Sequence, residues 1–189
     1  MIYKGVDNML ILIGASASGK TEVAKYLMHK YHLNKIITYT TRQKRINEIN
    51  GVDYNFISLE EFALLKEQDF FVETTYYNQN YYGTAKKDIQ DDKCIILDPN
   101  GFQSFLALHD PKIISFYLDS DEEIRFQRML DRKDDENLAR QRIINDRIAF
   151  YDKHMKGVTF VVDSNDISIK DLGDKIYNLY HNMLLSVEK

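Results

Sequence analysis

The sequence predicts an α/β fold with a mainly parallel sheet. Short apolar runs alternate along the chain with segments whose apolar residues recur at helical spacing, and this alternation is typical of strand–helix–strand units. The chain has 189 residues, of which 44% are hydrophobic. That length suits one compact domain, and that composition is sufficient for a real core. We therefore expect a single layered domain over residues 1–189.

The strands of the core are predicted from apolar runs that are bounded by polar residues. They are expected at Met9–Ile13, Cys94–Asp98, Ile113–Leu118 and Val158–Val162, with a shorter candidate at Ile36–Thr38. Runs of four to six such residues are typical of strands that are buried on both faces.

The helices are predicted from their caps and from their apolar spacing. Ser58–Glu61 has the form of a capping box and predicts a helix at about 59–67. Ser120–Glu123 has the same form and predicts a helix that starts there and runs to about 131. Further helices are expected at about 20–31, after the polar hinge 133–137 as far as about 153, and after a cap at Ser168. The last of these has one apolar stripe, formed by Ile169, Leu172, Ile176, Leu179 and Met183.

Two segments interrupt this alternating pattern. Residues 40–91 are rich in predicted strand and in tyrosine, and residues 126–145 are helical and rich in charge. Neither segment is flanked by a Pro-rich or low-complexity linker. We expect both to be insertions into the core and not separate domains.

Charge and apolar content argue against several classes of function. The net charge of −4 argues against a broad nucleic-acid or anionic-membrane surface. The longest apolar run, Met9–Ile13, is far short of the roughly 20 residues of a membrane helix, and the first residues lack the apolar core of a signal peptide. Cys94 is the only cysteine, so no intrachain disulfide forms and we expect the cytosol as the compartment. Cys94 itself is read as a small core residue in preference to a nucleophile.

The eight arginines fall in two windows, 42–45 and 125–147, whereas the lysines are scattered. Arginine is suited to bidentate recognition of phosphate oxygens, so two clusters in an acidic protein are compatible with a small polyanion site. The alternative for the second window is a solvated helix with salt bridges, because six acids lie nearby.

One motif indicates the chemistry directly. The chain matches G-x-x-x-x-G-K-[ST] completely at Gly14, Ala15, Ser16, Ala17, Ser18, Gly19, Lys20 and Thr21. A predicted buried strand precedes the motif and a predicted helix follows it, as in a phosphate-binding P-loop. Backbone N–H groups and the helix N-terminus would bind the phosphates of ATP, and Lys20 would reach the β- and γ-phosphates. The motif predicts a P-loop NTPase core.

A magnesium site is expected beside this loop. The Thr21 hydroxyl would coordinate Mg²⁺, and a carboxylate at the end of a neighbouring strand would assist. Asp98, at the end of the run Ile95–Leu97, is the first candidate and would act through metal-bound water. Two alternatives stay open: Asp98 is instead a capping or turn acid before Pro99, or Asp163 takes its place.

Four further motifs resemble those of the guanylate kinase family. The chain reads Thr38-Tyr-Thr-Thr-Arg42-Gln-Lys-Arg45, then Gly51-Val-Asp-Tyr54-Asn-Phe56, then Phe71-Val-Glu73, then Asn80-Tyr-Tyr82-Gly-Thr84. These are similar to the family's S-H-T-T-R-x-x-R, G-x-D-Y-x-F, F-x-E and N-Y-Y-G-[ST] signatures, in the same order. Together with the P-loop they cover about the first half of the chain.

The resemblance implies a division of the chain and a set of site residues. It implies a core of residues 1–37, 92–125 and 146–189, a GMP-binding lobe at 38–91 and a lid at 126–145. The GMP phosphate would be held by Arg42, Arg45, Tyr54 and Tyr82, and the base would be lined by Thr38, Glu73 and Thr84. Lid arginines Arg132 and Arg142 would neutralise charge on the transferring phosphoryl group.

The residue chemistry agrees with these implied roles. Two arginines three residues apart offer paired forks for a phosphate, and tyrosine hydroxyls add neutral donors. Guanine presents its N1–H and 2-amino group as adjacent donors, which one carboxylate such as Glu73 accepts together. For the remaining residues the structural interpretation is preferred: Tyr76, Tyr77 and Tyr81 as sheet aromatics, and Arg125, Arg140 and Arg147 as helix-surface residues.

The chain departs from the family pattern after the central strand. The family's D-I-D-x-Q-G is read here as Asp98-Pro-Asn100-Gly101, with an amide in place of the second acid. We expect Asn100 to contribute to the base site and to loosen the discrimination between GMP and IMP. Thr38 and Tyr39 replace the family's serine and histidine.

The reaction expected is MgATP-dependent phosphorylation of GMP or dGMP by direct in-line transfer, with ATP and Mg²⁺ as cofactors and small molecules as the only partners. One alternative is a related kinase that acts on IMP, another nucleoside monophosphate or a sugar phosphate. Another is a non-catalytic binding module, which the intact P-loop disfavours. The sequence leaves oligomeric state and ribo-versus-deoxy preference open.

Overall fold

The computed structural model describes residues 8–88, 93–151 and 155–187. The strands of these residues are β1 (Met9–Ile13), β2 (Asn34–Lys35), β3 (Tyr39–Thr40), β4 (Asn55–Phe56), β5 (Phe71–Tyr77), β6 (Asn80–Ala85), β7 (Lys93–Leu97), β8 (Ile113–Asp119) and β9 (Phe160–Asp163). The helices are α1 (Lys20–Tyr31), α2 (Leu59–Glu67), α3 (Pro99–Leu106), α4 (Glu122–Asp131), α5 (Glu136–Ala149) and α6 (Ile169–Val187). The first residues, read above as lacking a signal peptide, and the expected boundary at 91/92 lie outside the described residues.

The core is a five-stranded parallel sheet in the order β2-β7-β1-β8-β9. β1 is its central strand, and all five of its residues are fully buried. Successive side chains of a strand point to opposite faces. Leu10 and Leu12 accordingly pack in one hydrophobic cluster, and Met9, Ile11 and Ile13 in another. This fold confirms the predicted α/β class with a parallel sheet.

Helices cover both faces of this sheet. α1 and α6 lie on the face of Leu10 and Leu12, where Leu27 and Ile176 are fully buried. α3 covers the opposite face with Phe102 and Phe105. Among the described residues no helix is both long enough and apolar enough to cross a membrane.

A second, four-stranded sheet lies within the segment 38–91, in the order β4-β3-β6-β5. Its two long strands, β5 and β6, form an antiparallel hairpin with an irregular register between Phe71 and Glu73. α2 covers this sheet through Phe62, whose ring stacks on Phe71 at 4.7 Å between centroids. The proposed division into core, lobe and lid is compatible with this sheet, and its residue boundaries stay a prediction.

The prediction of a strand at Ile36–Thr38 is wrong. The structure has two-residue strands on either side of it, β2 in the core sheet and β3 in the second sheet. The chain crosses here from one sheet to the other, so a single strand cannot continue through the crossing. Cys94, by contrast, lies wholly buried in β7, and burial raises the pKa of its thiol to about 12, which confirms its reading as a core residue.

Two of the three predicted serine caps are confirmed. The hydroxyls of Ser58 and Ser168 accept the backbone N–H of Glu61 and Asp171, each at 3.1 Å. The cap predicted at Ser120 is wrong: α4 begins after Asp121, and the Ser120 hydroxyl instead accepts from Arg128 at 3.3 Å. α5 ends at Ala149, earlier than the predicted end near 153, which itself lies outside the described residues.

The turn between α4 and α5 is sharp. Lys133 takes a left-handed conformation with φ of 64°. Its N–H donates to Leu130 O at 2.8 Å, and the N–H of Asp134 donates to Met129 O at 3.0 Å. This is a Schellman motif, which satisfies the last carbonyls of α4 and usually places glycine where Lys133 stands.

Candidate active site

A cleft of about 840 Å³ lies between the carboxyl edge of the core sheet and the second sheet. One wall is formed by the P-loop and the start of α1, the other by Thr38, the 42–54 loop and the β5–β6 hairpin. Six of the residues that line it are basic: Lys20, Arg42, Arg45, Arg128, Arg132 and Arg142. Three are acidic: Glu22, Glu73 and Asp98. A concave site with this excess of positive charge suits a polyanionic ligand.

The P-loop follows β1 directly and ends at the first turn of α1. Of its predicted residues, six line the cleft, whereas Ala15 and Ser18 are buried behind them. Gly14 allows the tight turn, because a Cβ there would lie 2.6 Å from Ser18 Oγ and 2.8 Å from Leu118 O. Gly19, the N-cap of α1, has no side chain to cap the helix, so the first N–H groups of α1 are free of a side-chain cap and face the cleft.

Lys20 folds back over this loop. Its Nζ donates to Gly14 O at 2.6 Å and to Ala15 O at 2.8 Å. Burial lowers the pKa of Lys20 to about 8, while the carboxylate of Asp146 acts in the opposite direction. The ammonium group is therefore poorly solvated, and a phosphate oxygen would be a favourable partner for it.

Arg42 and Arg45 share one carboxylate. Arg42 donates to Glu48 Oε1 at 2.7 Å, and the backbone N–H of Arg45 donates to Glu48 Oε2 at 2.8 Å. The Arg42 guanidinium also lies over the ring of Tyr54, 5.3 Å from its centroid. Burial and the neighbouring arginines, Arg42 first, lower the pKa of Arg45. Arg42, Arg45, Tyr54 and Tyr82 all line the cleft, and Glu48 is a supporting residue that sequence analysis missed.

Glu73 is a buried carboxylate in the wall of the cleft, 8% exposed. Its Oε1 accepts the Thr84 hydroxyl at 2.7 Å, whereas its Oε2 has no hydrogen-bond partner among the described residues. Burial and, less strongly, the charge of Asp98 raise the pKa of Glu73 to about 7, although the bond from Thr84 lowers it. Thr38 lines the cleft nearby, while Thr84 lies behind Glu73 and orients it.

Asp98 stands where β7 ends and α3 begins. Its Oδ1 accepts the N–H groups of Asn100 and Gly101 at 2.8 and 3.1 Å, and its Oδ2 accepts the hydroxyl of Thr75. Asp98 therefore caps α3, as the alternative interpretation of this residue proposed, and it also lines the cleft. Asp163, the competing candidate, is exposed and does not line the cleft.

Arg132 and Arg142 converge on one acid. Arg132 and Arg142 each donate to Asp134 Oδ2 at 2.6 Å, and both line the cleft. Arg128 is a third lining residue, and its guanidinium is anchored to Ser164 O and Asn165 O at 2.7 and 2.8 Å. Arg132 and Arg142 are thus held by a partly buried side-chain carboxylate, whereas Arg128 is held by backbone carbonyls.

Asn100 is not brought to the cleft. It is exposed on the first turn of α3 and borders a separate hollow with Ile148 and Tyr76. Its neighbour Gly101 comes closer to Glu73: a Cβ there would lie 3.5 Å from Glu73 Oε2. The family motif D-I-D-x-Q-G then matches the chain in another register. Asp98 takes the place of the second acid and Asn100 that of the glutamine. Ile96, which lines the cleft, takes the place of the first acid. The geometry gives no support to a base-reading role for Asn100.

The reading of Arg125 as a surface residue is wrong. It is 4% exposed and donates to Asp146 Oδ2 at 2.9 Å. Tyr77, read as a sheet aromatic, also lines the cleft and donates its hydroxyl to Asp146. Asp146 lies 21 residues beyond Arg125 and 69 beyond Tyr77, so no local pattern could reveal these pairs. Arg140 and Arg147 are exposed, as expected, and pair with Glu136 and Glu122.

The two walls of the cleft define the class of protein. A strand–loop–helix that binds a nucleoside triphosphate faces a wall of arginines and tyrosines suited to a second phosphate. Face-to-face phosphate sites of this kind belong to P-loop phosphotransferases, and a buried carboxylate beside the second phosphate site suits a nucleotide acceptor.

Comparison with known proteins identifies the family. The family model described as guanylate kinase matches residues 6–178, and the chain belongs to the guanylate kinase family. It is 30% identical over 188 residues to the guanylate kinase of Anaplasma phagocytophilum, covering 94% of this chain and 88% of that protein. It is 35% identical over 147 residues to a guanylate kinase of Helicobacter pylori, covering 73% and 71%. The chain is accordingly an ATP-binding kinase of the nucleoside-monophosphate class.

A solved structure supports the fold. The crystal structure of guanylate kinase from Anaplasma phagocytophilum superposes with a TM-score of 0.71 at 22% sequence identity. The match covers 96% of this chain and 88% of that one.

Proposed function

We propose that this kinase transfers the γ-phosphoryl group of ATP to GMP or dGMP. The observation that carries the choice of acceptor is Glu73, whose buried Oε2 lacks a protein partner among the described residues. Guanine offers two adjacent donors to such a carboxylate, the N1–H and the 2-amino group. Adenine has an unprotonated N1 at the same place, which would face the carboxylate without a proton to share.

The reaction is MgATP + GMP ⇌ MgADP + GDP, by in-line transfer. An oxygen of the GMP phosphate forms a bond to the γ-phosphorus while the bond from that phosphorus to the β–γ bridging oxygen breaks, and ADP leaves with the electron pair. The acceptor phosphate is already ionised near neutral pH, so no general base is required. Catalysis is then positioning and electrostatic stabilisation.

The residues divide the work between the two substrates. The P-loop N–H groups and Lys20 bind the phosphates of ATP, while Arg42, Arg45, Tyr54 and Tyr82 bind the acceptor phosphate. Arg132 and Arg142 leave Asp134 to neutralise the transferring phosphoryl group. Support for this last step is that Arg132 and Arg142 donate to a side-chain carboxylate, whereas Arg128 donates to two backbone carbonyls.

The cleft fits a magnesium ion held mainly by the nucleotide. No group of three or more acidic, histidine or cysteine side chains gathers for a metal within the part of the chain described. Magnesium in kinase sites needs few protein ligands, because phosphates and waters complete its shell. Thr21 would supply a hydroxyl, and Asp98, whose two oxygens already accept protein donors, would act through water. When bound, the ion offsets charge on the β- and γ-phosphates.

The test is a coupled ADP-release assay of the protein with GMP, dGMP, IMP, AMP and CMP. GMP or dGMP should be the best acceptor, and AMP should be poorer by about 10⁴-fold, because sites built to hydrogen-bond a substrate group reject its absence by that order. Glu73→Gln should lose at least about tenfold with GMP, since it replaces a charged acceptor by a neutral one. Equal turnover of GMP and AMP would overturn the proposal. A preference for IMP would identify IMP, and not GMP, as the acceptor.

A variant of the P-loop checks that turnover comes from this cleft. Lys20→Met should lower kcat by about 100-fold or more, as expected for removal of an electrostatic contact at the transferred group. Lys25→Met is the matched control, because Lys25 lies on the same helix and is half exposed. Similar rates for the two variants, with unchanged circular dichroism, would place the chemistry elsewhere.

A further inference from the structure

A buried carboxylate joins the two walls of the cleft. Asp146, on α5, is 1% exposed, and both of its oxygens accept hydrogen bonds. Its Oδ2 accepts the Ser16 backbone N–H at 2.8 Å and the Arg125 guanidinium at 2.9 Å. Its Oδ1 accepts the Ser16 hydroxyl at 3.3 Å and the Tyr77 hydroxyl. A buried carboxylate is tolerated when it is paired and fully hydrogen-bonded, and this one is.

The donors to Asp146 come from separate segments of the chain. Ser16 belongs to the P-loop, Tyr77 is the last residue of β5 in the second sheet, and Arg125 lies on α4. A second link runs parallel to the first: the Asn145 amide donates to the Asn78 side chain at 2.9 Å. The β5–β6 turn is therefore attached to α5, and α5 is attached to the P-loop.

The surrounding charges keep these contacts in place. Burial and the charge of Asp146 raise the pKa of Tyr77 well above its ordinary value, so its hydroxyl retains the proton that it donates. Arg125 also donates to Ser16 O at 3.4 Å, which holds the backbone of Ser16 from its other side. Arg125 and Asp146 thus hold the middle of the P-loop, and Asp146 also binds Tyr77 of the second sheet.

We propose that Asp146 is a positioning residue that sets the separation of the two walls: through the Tyr77 hydroxyl it seats the acceptor side of the cleft against the P-loop. This inference rests on the proposed function, because it takes the second sheet to carry the acceptor. In-line transfer needs the attacking oxygen about 3–3.5 Å from phosphorus, and a displacement of about 1 Å can cost about 100-fold in rate. A hydrogen bond between the walls controls that distance without touching the reacting atoms.

Tyr77→Phe tests the link with the least disturbance, because it removes one hydroxyl and leaves the Arg125–Asp146 pair intact. We expect kcat for the preferred acceptor to fall about tenfold, while KM for the acceptor and Kd for ATP change less than about twofold. Tyr76→Phe is the matched control, since Tyr76 is 57% exposed on the same strand, and it should retain the wild-type kcat. Unchanged kcat in Tyr77→Phe would overturn the proposal. A rise in KM alone would also overturn it, by making Tyr77 a binding residue.

Asp146→Asn in both backgrounds shows whether the two residues act together. In the wild-type background it should lower kcat, and in the Tyr77→Phe background its further effect should be smaller, because the link is already absent. Fully additive losses would contradict a shared role. If Asp146→Asn does not fold, since it leaves Arg125 buried without its counter-charge, Tyr77→Phe decides alone.

Hydrogen exchange of the protein without nucleotides separates this inference from the proposed function. Amides of β5 and β6 should exchange faster in Tyr77→Phe than in Tyr76→Phe, because the hairpin loses its attachment to α5. If the wild-type protein phosphorylates no nucleoside monophosphate, the proposed function fails while this comparison still tests the link. Equal exchange in the two variants would then overturn it.

Discussion

At the scale of single residues, Glu73 has a raised pKa, and its effect on stability can be measured as a function of pH. Its pKa is raised from an ordinary 4.5 to about 7, chiefly by burial. Between these values the unfolded chain loses the proton while the folded chain keeps it. The contribution of Glu73 to folding stability is therefore fully present below about pH 4.5 and is lost as the pH rises through about 7.

The same titration should appear in acceptor binding, with the opposite direction. The two donors of guanine need the ionised carboxylate, so kcat/KM for GMP should increase from pH 6 to pH 8. Glu73→Gln should lack this increase, and because the GMP phosphate titrates in both proteins, the ratio of their profiles isolates the side chain. Parallel profiles of the two proteins would show that Glu73 does not ionise on binding.

The role of a residue could be predicted where a local motif specifies it, but not where its partner is distant in the sequence. The P-loop and the motif residues Arg42, Arg45 and Tyr54, all singled out from local patterns, line one cleft. The burial of Arg125 could not be predicted, because most arginines are exposed and its acid lies 21 residues away, on the next helix. The motif resemblance put Asn100 in the base site by matching Asp98 to the first acid, whereas the structure places Asn100 on the exposed first turn of α3.

At the scale of elements, the Schellman turn after α4 makes a prediction about stability. Lys133 is in the left-handed region, which costs a residue with a Cβ about 1 kcal/mol relative to glycine. Lys133→Gly should raise the free energy of unfolding by about 1 kcal/mol and the Tm by about 2–4 °C in a chain of this size. Lys133→Ala keeps the Cβ and is the control, with a Tm close to that of the wild type. A gain common to both variants would point to the lysine charge instead of the backbone.

Elements with their own cap or periodicity were predicted well, and elements defined by tertiary contacts were not. β1, α1, α2 and α6 follow their apolar spacing, their caps or both. α3 was missed, although Asp98 as N-cap and Pro99 as first helical residue are a recognised start signal, because Pro-Asn-Gly also reads as a turn. β2 and β3 have two residues each and exist only through pairing with other strands.

At the scale of the whole molecule, the cleft has two walls that should bind their ligands separately. Arg42 lies on the wall opposite the P-loop and pairs there with Glu48 at 2.7 Å, so its removal should leave the P-loop undisturbed. Arg42→Ala should raise KM for GMP at least about tenfold, because a charge-assisted bidentate contact is lost, with Kd for ATP unchanged in calorimetry. Arg140→Ala, an exposed arginine of α5, is the control. An equal loss of both nucleotides in Arg42→Ala would mean that the walls do not act independently.

The rate at which the buried thiol of Cys94 is alkylated should report the opening of the core. This thiol is the one sulfhydryl in the chain and lies, fully enclosed, in the strand next to β1. An alkylating reagent can reach it only in molecules whose central sheet has come apart, so the labelling rate in native buffer counts those molecules without any denaturant. Saturating ATP, which binds the folded form, should slow the labelling by about the factor 1 + [ATP]/Kd. Labelling that ignores the nucleotide would show that Cys94 is reached through a local gap, with the nucleotide site still closed.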